Sequence, residues 1–555
     1  MRKFMKNNFI FTLPVLSGVL LILAYSPSNF GIAVLIALIP LFYFLSLNSI
    51  TPKRAFAGGT ITGIIFFGKL FSWFFATYPF EWLGIVVKKD VILTLVLVGI
   101  IWLAQIIFFG LFVGAFSWII KKLINRGLNN FLSLLIIPSL WIVFEYLRAW
   151  GFELLWLGKE ILPGPHWTFG NLAYALHNNL SLIQIADIAG IYGISFLIVL
   201  INILLFKIIK TIKTSKKTAF VSLIFLILIA IAWDGYGIYQ LQKPFQSEKS
   251  IKLALLQTNF LSGSEFNAYQ KQEVFKAVLD LFQSAKESAD IIIAPEGFGL
   301  ATLTGPPAGP LRSEASEAGD KEIAKYLLKD FFRPGQIYLE NQKIIDENNK
   351  IKSRLFYYDL DQEKPLDFHD KILLVPGGDY LPYWIKAVLK LYSFNMKINE
   401  RIYQKGETIK PAFVPLRGTS TGVGGTICSS ILSPNINREM TKKGAEFLVS
   451  VSSDAPFHGA NSLLSQNLAM SKLRAVENRR YFVQATNMGY SFLLSQKGEI
   501  IIKSSQLGNK ILFSDIYLLN KKTIYTKFGD WIVILAGLIF IFGVIHSALD
   551  PRFVV

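Results

Sequence analysis

Long apolar stretches occupy most of the chain before residue 240. Several of them reach the roughly 20 helical residues that are needed to cross the hydrocarbon core of a bilayer, and 52% of the 555 residues are hydrophobic. One more apolar stretch lies close to the C-terminus. Segments of this length and number predict a multi-span α-helical membrane domain. Eight crossings are predicted, near residues 9–25, 30–48, 56–78, 91–120, 130–148, 185–209, 217–233 and 529–548.

The basic residues between these stretches predict the orientation of the crossings. Lysines and arginines precede the first crossing and follow the second, fourth and sixth, and linkers of this kind face the cytoplasm. Lys88 and Lys89 fall on the opposite side but are outnumbered. Seven crossings from an inside N-terminus place the chain after residue 240 on the outer side of the membrane. The formal charge of +18 then faces anionic lipid, and we expect no nucleic-acid partner.

The composition changes after residue 250. Short β-rich runs such as DIIIAPEG and EFLVSVSSD alternate with helical stretches such as LLSQNLAMSKLRAVENRR, which predicts an α/β domain whose sheets are covered by helices. Residues 300–335 look like an irregular insertion, and long insertions are often lids or binding loops. We therefore predict a membrane domain with seven transmembrane helices at 1–240, an α/β domain at 250–520, and an eighth transmembrane helix at 529–548.

Cys428 is the only cysteine in the chain. A single thiol excludes an intrachain disulfide and a multi-cysteine zinc or iron–sulfur site. A lone cysteine is more often a small buried hydrophobe than a reactive group, so its interpretation depends on its surroundings. It follows the glycine-rich apolar run TGVGGTI, which places it at the end of a predicted strand.

Two further reactive groups stand beside strand-like runs in the same domain. Glu296 follows IIIAP, and Lys371 begins the run KILLV, which leads through a Pro-Gly-Gly turn to Asp379. Alone, Glu296 is equally well a solvated loop residue, and Lys371 is more often an ordinary strand-edge lysine. Together with Cys428 they supply a base for the thiol proton, a nucleophile, and an ammonium that stabilises negative charge. His369 and His458 do not lie in a recognisable cysteine-protease context.

Three stretches in this order resemble the catalytic stretches of the carbon–nitrogen hydrolase (nitrilase) superfamily: PEG at 295–297, DKILLVPGGDYLP at 370–382 and TIC at 426–428. With the eight crossings and further similar stretches at 139–152, 185–202 and 472–491, the chain resembles the apolipoprotein N-acyltransferase family over nearly its whole length. The resemblance implies a nitrilase-like α-β-β-α sandwich beside the membrane domain. It also implies roles for three residues: general base for Glu296, oxyanion stabiliser for Lys371, and acylated nucleophile for Cys428.

The resemblance further implies a ping-pong acyl transfer. The thiolate takes an acyl chain from a membrane phospholipid and passes it to the α-amine of the S-diacylglyceryl cysteine that begins a lipoprotein precursor. The expected partners are therefore the phospholipid donor, the diacylglyceryl lipoprotein precursor and the lipid bilayer. The expected location is the bacterial inner (cytoplasmic) membrane, with a periplasmic catalytic domain. We expect no cofactor, no metal and a monomer.

Three stretches depart from the family's pattern. Asp379 stands where the family usually has a glutamate in the turn after the lysine, and Ser429 and Ser430 follow the cysteine in place of a tyrosine and a glutamate. The stretch 453–457 reads SDAPF where the family commonly has Asn-Asp-x-Trp-Phe. We therefore single out Asp379 and Ser430 as supporting residues of the predicted site.

Two other functions stay open from the sequence. A membrane-tethered nitrilase-type amidase or hydrolase would use the same three residues but pass the acyl group to water. A catalytically impaired homologue would keep the fold to bind lipoproteins, and Ser429, Ser430 and Pro456 favour that alternative. A transporter is less well supported, because Glu145 and Arg148 are the main ionisable residues within the crossings. They suggest a function by their position, or a structural pair one helical turn apart.

Overall fold

The computed structural model describes residues 10–25, 30–78, 91–129, 131–244, 249–261, 268–299, 333–346, 350–359, 362, 364–391, 403–505 and 508–549. Lys88, Lys89 and most of the predicted insertion at 300–335 lie outside the described residues.

Apolar helices form the first part of the chain and its C-terminal end. In the part that the structure describes, five helical segments are long and apolar enough to cross a membrane: Pro52–Thr77, Val98–Asn125, Leu132–Leu155, Ala186–Thr211 and Lys216–Gln242. Shorter apolar helices occupy Thr12–Ala24, Gly31–Ser46 and Trp531–Ile545. The helices of the first part are α1 (Thr12–Ala24), α2 (Ile39–Ser46), α3 (Pro52–Leu70), α4 (Val91–Asn125), α5 (Leu132–Leu155), α6 (Leu180–Ile183), α7 (Ala186–Thr211) and α8 (Lys216–Gln242), with 3₁₀ turns at Gly31–Leu35, Ser72–Thr77 and Leu172–Leu176.

The predicted crossing near 30–48 is divided in two. A 3₁₀ turn at Gly31–Leu35 precedes α2, and Pro40 lies in the first turn of α2. Proline fits a first helical turn because its missing N–H has no partner to lose there, whereas it disrupts a helix interior. An apolar composition alone does not show this break, so the sequence indicated one continuous segment.

Two six-stranded sheets form the domain after residue 250. One has the strand order β12-β1-β2-β3-β4-β5 and the other β11-β10-β9-β8-β7-β6. The strands are β1 (Ser250–Gln257), β2 (Ile291–Ile293), β3 (Ile337–Ile345), β4 (Ile351–Asp359), β5 (Asp367–Asp370), β6 (Ala412–Leu416), β7 (Thr419–Ile427), β8 (Phe447–Ser453), β9 (Phe482–Asn487), β10 (Phe492–Leu494), β11 (Ile500–Lys503) and β12 (Lys510–Tyr517). The remaining helices are α9 (Ala268–Lys286), α10 (Tyr383–Leu391), α11 (Pro434–Lys442), α12 (Asn461–Asn478), α13 (Ile524–Phe528) and α14 (Trp531–Leu549).

The two sheets pack face to face, and helices cover their outer faces. Successive residues of a strand point to opposite faces, so Leu253 of β1 joins Val449 of β8 in the core between the sheets. Ala254 packs instead with Val278 and other residues of α9 on the outer face of the first sheet. α11 and α12 cover the second sheet and share one apolar core with the membrane helices. The predicted fold class, a helical membrane domain beside an α-β-β-α sandwich, is therefore confirmed.

A loop of the membrane domain supports the segment that follows Cys428. Thr168 donates a hydrogen bond from Oγ1 to the carbonyl oxygen of Leu432 over 2.8 Å, and His166 Nδ1 lies 2.8 Å from Ser433 Oγ. Glu145 of α5 holds the same loop, because its Oε1 accepts the backbone N–H of Leu172 at 2.9 Å. Its helix neighbour Arg148 donates to the carbonyl of Phe169 at 3.1 Å and to Asn171 Oδ1 at 3.0 Å. These two intramembrane charges thus position a loop at the domain boundary.

The C-terminal end of α12 fixes the sandwich to the membrane domain. The Arg479 guanidinium lies 2.7 Å from Asp187 Oδ2 in α7, and both side chains are buried. Glu477 accepts the backbone N–H of Ile191 at 3.3 Å and pairs with Arg474 at 3.0 Å. Buried charges of this kind resist separation because each leaves an uncompensated partner. The orientation of the sandwich against the helices is therefore specified by charge as well as by apolar packing.

Candidate active site

Glu296 lies just past the end of β2. The strand continues its hydrogen bonding through Ala294, whose N–H donates to the carbonyl of Leu339 at 2.9 Å, and the chain then turns at Pro295. Glu296 Oε2 accepts the backbone N–H of Ser453 at 3.2 Å, at the end of β8 in the other sheet. Its side chain retains 17% exposure. The carboxylate therefore lies between the ends of the two sheets.

Lys371 directly follows β5, and its backbone is held on both sides. Its N–H donates to the carbonyl of Ser353 at 2.8 Å, and its own carbonyl accepts the N–H of Gly406 at 2.8 Å. The side chain is only 4% exposed, and Nζ lies 2.8 Å from Asp379 Oδ2 and 3.8 Å from Glu296 Oε1. The ammonium is therefore fixed between two carboxylates.

Cys428 follows β7, which runs parallel to β8 with Ile427 beside Val451. It has a φ of 48° and begins a 3₁₀ turn, Cys428–Leu432. Such a conformation is uncommon for a residue with a Cβ and often marks a functional position. The sharp turn takes the chain out of the sheet at the thiol, in the same region as Glu296 and Lys371, with which the thiol interacts electrostatically.

The glycine run before Cys428 allows the two sheets to approach. A Cβ added at Gly425 would lie 1.8 Å from the hydroxyl of Tyr357 in β4. Only glycine leaves that space for the tyrosine, since any side chain there would force the sheets apart. The glycine cluster thus lets β7 pack closely against the other sheet just before Cys428.

Asp379 reaches Lys371 through a tight turn. Its N–H donates to the carbonyl of Val375 at 2.8 Å, and its Oδ2 accepts the N–H of Val375, also at 2.8 Å. Gly377 in this turn has a φ of 82°, which favours glycine. The aspartate, one methylene shorter than the glutamate that the resemblance led us to expect, is thus still in contact with the lysine.

Charges and burial shift the pKa of all three groups. Burial alone would lower the pKa of the Lys371 ammonium, but the carboxylates of Asp379 and Glu296 outweigh burial and raise that pKa. Burial raises the pKa of the Cys428 thiol, as does the charge of Glu296, and Lys371 opposes them. Burial also raises the pKa of Glu296 against the opposing effect of Lys371. The resting thiol is therefore protonated and needs a base, and a carboxylate with a raised pKa is the better proton acceptor.

Ser429 and Ser430 have different surroundings. Ser429 donates from Oγ to the carbonyl of Leu373, which ties the turn after the thiol to the segment after Lys371. Ser430 is fully buried, and within the described chain its hydroxyl has no hydrogen-bond partner. The charge that balances Lys371 thus comes from Asp379 and Glu296.

Asn487, at the end of β9, holds two segments of the site together and was not predicted from the sequence. Its Oδ1 accepts from the Thr258 hydroxyl and from the N–H of Phe260, both at 2.9 Å, and its Nδ2 donates to Ser453 Oγ at 3.1 Å. Ser453 is the residue whose N–H binds Glu296. The one available signal was the position of Asn487 directly after a strand-like run, YFVQATN.

Two further contacts join the sandwich to the membrane domain. The Trp73 ring, in the Ser72–Thr77 turn, packs edge-on against Phe457 with centroids 5.5 Å apart. Gln466 of α12 donates to the carbonyl of Leu70 at 3.1 Å. Among the described residues, no group of three or more histidine, cysteine, aspartate or glutamate side chains is arranged to hold a metal ion.

Known families match both parts of the chain. Residues 17–204 match the apolipoprotein N-acyltransferase N-terminal domain, and residues 252–519 match the carbon-nitrogen hydrolase family. A crystal structure of Saccharomyces cerevisiae Nit3, of the nitrilase superfamily, aligns with 49% of this chain and 91% of that chain, with 17% identity and a TM-score of 0.34.

Curated relatives match the chain over nearly its full length. A Geobacter metallireducens apolipoprotein N-acyltransferase is 26% identical over 94% of this chain and 92% of its own. One from Gloeobacter violaceus is 23% identical over 95% of this chain and 92% of its own. The two domain matches, which together cover most of the sequence, and these relatives show that the chain belongs to the apolipoprotein N-acyltransferase family.

Proposed function

We propose that the protein is an N-acyltransferase that moves an acyl chain from a membrane phospholipid, through a thioester on Cys428, to the α-amine of an S-diacylglyceryl cysteine. The main support is the placement of Glu296 and Lys371, whose charges meet 3.8 Å apart and act on the Cys428 thiol. The three residues come from the ends of β2, β5 and β7, far apart in sequence. Family membership supports the same activity, because the relatives are named for it.

The first half of the reaction forms the thioester. Glu296 takes the thiol proton, and the Cys428 sulfur attacks the ester carbonyl carbon of the phospholipid. The Lys371 ammonium stabilises the resulting oxyanion, which is the largest charge that develops in the step. The carbon–oxygen bond then breaks, the leaving alkoxide takes the proton from Glu296, and a lysophospholipid departs.

The second half transfers the acyl group to nitrogen. The neutral α-amine attacks the thioester carbonyl carbon, and Glu296 accepts a proton from the attacking nitrogen. The carbon–sulfur bond breaks and the sulfur takes that proton back, which restores the thiol. The product is an amide, so the transfer is favourable relative to the thioester, and Glu296 serves as base and acid in both halves.

The membrane domain supports a lipid substrate. The turn after Cys428 rests on the loop at 166–174, so the nucleophile stands beside the helices and not at the distant face of the sandwich. We further propose eight crossings, with α1, the 31–46 segment and α14 as the three shorter ones, and a periplasmic sandwich in a bacterial inner membrane. The linkers rich in lysine and arginine support this orientation. A monomer with phospholipid and a diacylglyceryl lipoprotein precursor as partners completes the proposal.

A phospholipid with a tagged acyl chain tests the first half. The full chain in vesicles should become labelled, and hydroxylamine should release the label, because hydroxylamine cleaves thioesters. Cys428→Ser should give no such label. Glu296→Gln should slow labelling by about 10²–10⁴-fold, as loss of a general base does, and Lys371→Ala by about 10²–10³-fold, as loss of an oxyanion donor does.

A lipoprotein precursor tests the second half. After incubation with a diacylglyceryl peptide, mass spectrometry should find the acyl chain on its α-amine. Free fatty acid in place of that product would favour the hydrolase, and binding of the peptide without any label on Cys428 would favour the impaired homologue. Equal labelling of wild type and Cys428→Ser would remove the assigned nucleophile.

A further inference from the structure

A third acidic residue lies at the same end of the sandwich and has no part in the reaction as written. Asp454 directly follows β8, and Cys428 directly follows β7, the parallel neighbour of β8. It is 2% exposed, and the charge of Glu296 acts on it while its own charge acts on the Cys428 thiol. Asp454 therefore belongs to the group of charges around the nucleophile.

The hydrogen bonds of Asp454 do not account for its burial. Its Oδ2 accepts a hydrogen bond from Thr486 Oγ1 over 3.4 Å, at the long end of the range. That hydroxyl lies equally far from the carbonyl of Asn487, so its one proton is shared. A buried carboxylate usually needs strong hydrogen bonds or a cation. Among the described ion pairs, Lys371 pairs with Glu296 and Asp379 and leaves Asp454 without one.

The backbone nearby leaves room for an acid of this size. A Cβ added at Gly489 would lie 2.2 Å from Asp454 Oδ2, so the loop after β9 passes directly against the carboxylate. Met488, in the same loop, has a φ of 55°. Functional sites often combine a close approach of the backbone with an uncommon backbone dihedral angle. The loop after β9 thus packs against the Asp454 carboxylate without supplying it with a cation.

The second half of the proposed reaction needs one more proton acceptor than Glu296 supplies. The α-amine of a peptide has a pKa of about 7.7–8.0, so at neutral pH it arrives mostly as an ammonium. It must lose one proton before attack and a second one after it. Glu296 handles the second proton and returns it to the sulfur.

Resting on the function proposed above, we propose that Asp454 accepts the first proton, from the acceptor ammonium, before the nitrogen attacks the thioester. The balance is complete: the ammonium and the thioester give the amide, the Cys428 thiol and one proton, which Asp454 releases to water. Burial, followed by the charge of Glu296, raises the pKa of Asp454 to about 7 despite the Thr486 hydrogen bond. That is close to the pKa of the amine, which suits a proton exchange between them.

Asp454→Asn tests this role, because it removes the basic oxygen and keeps the size and a hydrogen-bond acceptor. The enzyme is first incubated with tagged phospholipid so that the thioester forms on Cys428. A diacylglyceryl peptide or hydroxylamine is then added, and the loss of the thioester is followed over time. Hydroxylamine is the comparison because it is an amine already neutral at pH 7. At pH 7 only about one tenth of an amine with a pKa of about 8 is neutral, so without a base for the ammonium we expect about tenfold slower transfer to the peptide at that pH. No slowing is expected at pH 9, or with hydroxylamine at pH 7.

Asp290→Asn is the matched control, since Asp290 lies at the opposite end of β2 and pairs with Arg417; it should leave both transfers unchanged. An equal loss with the two amines, or a loss independent of pH, would mean that Asp454 is only structural and would overturn the proposal. Failure of Asp454→Asn to form thioester would also overturn it, because the proposed step comes later. Absence of thioester in the wild type would instead reject the proposed function itself.

The wild type alone provides a second measurement that needs no variant. If Asp454 accepts the proton, transfer to the peptide should level off above about pH 7, where Asp454 is ionised. If the amine must lose its proton in water, the rate should continue to rise until about pH 8, the pKa of the free amine. That second outcome contradicts the proposal even where Asp454→Asn does not fold.

Discussion

Lys371 lies closer to Asp379 than to Glu296: its Nζ is 2.8 Å from Asp379 Oδ2 and 3.8 Å from Glu296 Oε1. The shorter contact orients the ammonium, while the longer one leaves Glu296 free to exchange a proton. Asp379 also accepts the N–H of Val375 at 2.8 Å, so the turn and the ion pair stabilise each other. Asp379 therefore acts as the permanent counter-charge of Lys371, whereas the charge of Glu296 changes when it gains or loses a proton.

Replacing Asp379 with asparagine should slow thioester formation sharply. The variant keeps the turn's shape but removes the charge that opposes burial of Lys371. We expect at least a tenfold loss, because removing one partner of a buried pair costs about 3–5 kcal/mol and displaces the oxyanion donor. The measurement is the initial rate of labelling by a tagged phospholipid.

Asp367→Asn provides the control for this change. Asp367 pairs with Lys410 over 3.1 Å, but that lysine is 52% exposed, and exposed pairs contribute little. Its labelling rate should match that of the wild type. If both variants lost activity equally, the effect would come from the β5 region in general and not from the charge on Lys371.

Thioester formation should depend on the ionisation of Glu296. Burial raises the pKa of this carboxyl above the ordinary value of 4.5, and Asp379 adds to the rise while Lys371 opposes it. The base is active only when ionised, so the rate should fall about tenfold per pH unit below the raised pKa. The acid limb should therefore lie above pH 4.5.

A pH profile of wild-type labelling measures this limb, with Glu296→Gln as its control. The glutamine variant, which has no group to titrate there, should lose the limb and keep only its slow residual rate. A wild-type limb at or below pH 4.5 would show that Glu296 is not the base whose ionisation limits the step.

The sequence predicted the three central residues because each stands beside a strand-like run. Glu296 and Cys428 follow such runs, whereas Lys371 begins one, KILLV. The predicted strand at KILLV is wrong, because the structure ends β5 at Asp370 and places Lys371 directly after it. Parallel strands such as β7 and β8 end at the same edge of a sheet, so the position of Cys428 after TGVGGTI indicated where its side chain would lie. The sequence could not show that Asp379 reaches Lys371, since that contact depends on the turn at Gly377. Nor could it show Asp454 and Asn487, whose partners come from other strands and are brought together only by the packing of the two sheets.

The membrane part was predicted from its apolar composition, but its details were not. Composition indicated one crossing near 30–48, whereas the helix is broken before Pro40. The sequence left two interpretations of Glu145 and Arg148 open, a functional position or a structural pair one helical turn apart. Their partners, the backbone of Leu172 and Phe169, carry no sequence signal. A hydrogen bond from a side chain to distant backbone cannot be predicted from the sequence, because any residue type can supply the backbone group.

Ser430 should tolerate the loss of its hydroxyl but not a gain of charge. A buried hydroxyl without a partner costs free energy, so Ser430→Ala should leave the melting temperature unchanged or raise it slightly. Ser430→Glu would place a carboxylate in a fully buried position where Asp379 and Glu296 already balance Lys371. We expect a lower melting temperature and slower labelling. Faster labelling by Ser430→Glu would show that the site lacks a negative charge.

Asp454 should also affect stability as the pH changes. Its pKa is raised from 3.8 to about 7, first by burial and then by Glu296, so the folded state holds this proton more tightly than the unfolded state. The contribution is fully present below pH 3.8 and is lost as the pH rises through 7. The three-unit shift corresponds to about 4 kcal/mol.

Comparing Asp454→Asn with the wild type isolates that contribution. Because asparagine does not titrate, the wild type should lose more stability than the variant between pH 4 and pH 7. The free energy of unfolding in detergent, measured at several pH values, gives the difference. Parallel curves for the two proteins would show that Asp454 titrates at its ordinary pKa.

Removing the buried ion pair between Arg479 and Asp187 should destabilise the protein more than removing a matched ion pair at the surface. A second pair matches it closely: in both Arg479–Asp187 and Arg417–Asp290 the atoms lie 2.7 Å apart, and both arginines have a positive φ, 49° and 47°. The two differ in burial, since Arg479 is 7% and Arg417 59% exposed. Substitution by alanine therefore imposes the same backbone change on both and removes pairs of different burial.

Arg479→Ala should lower the free energy of unfolding by about 3–5 kcal/mol, because it leaves a buried carboxylate uncompensated, while Arg417→Ala should lower it by about 1 kcal/mol or less. Arg479→Ala should also slow acylation from vesicle phospholipid more than acylation from a short soluble ester. The reason is that the pair holds the sandwich against the membrane helices, while the three residues of the proposed site lie elsewhere. If Arg479→Ala slowed acylation equally with both acyl donors, Arg479 would stabilise the site itself. If Arg479→Ala and Arg417→Ala lowered the free energy of unfolding equally, burial of the pair would not be what fixes the two domains together.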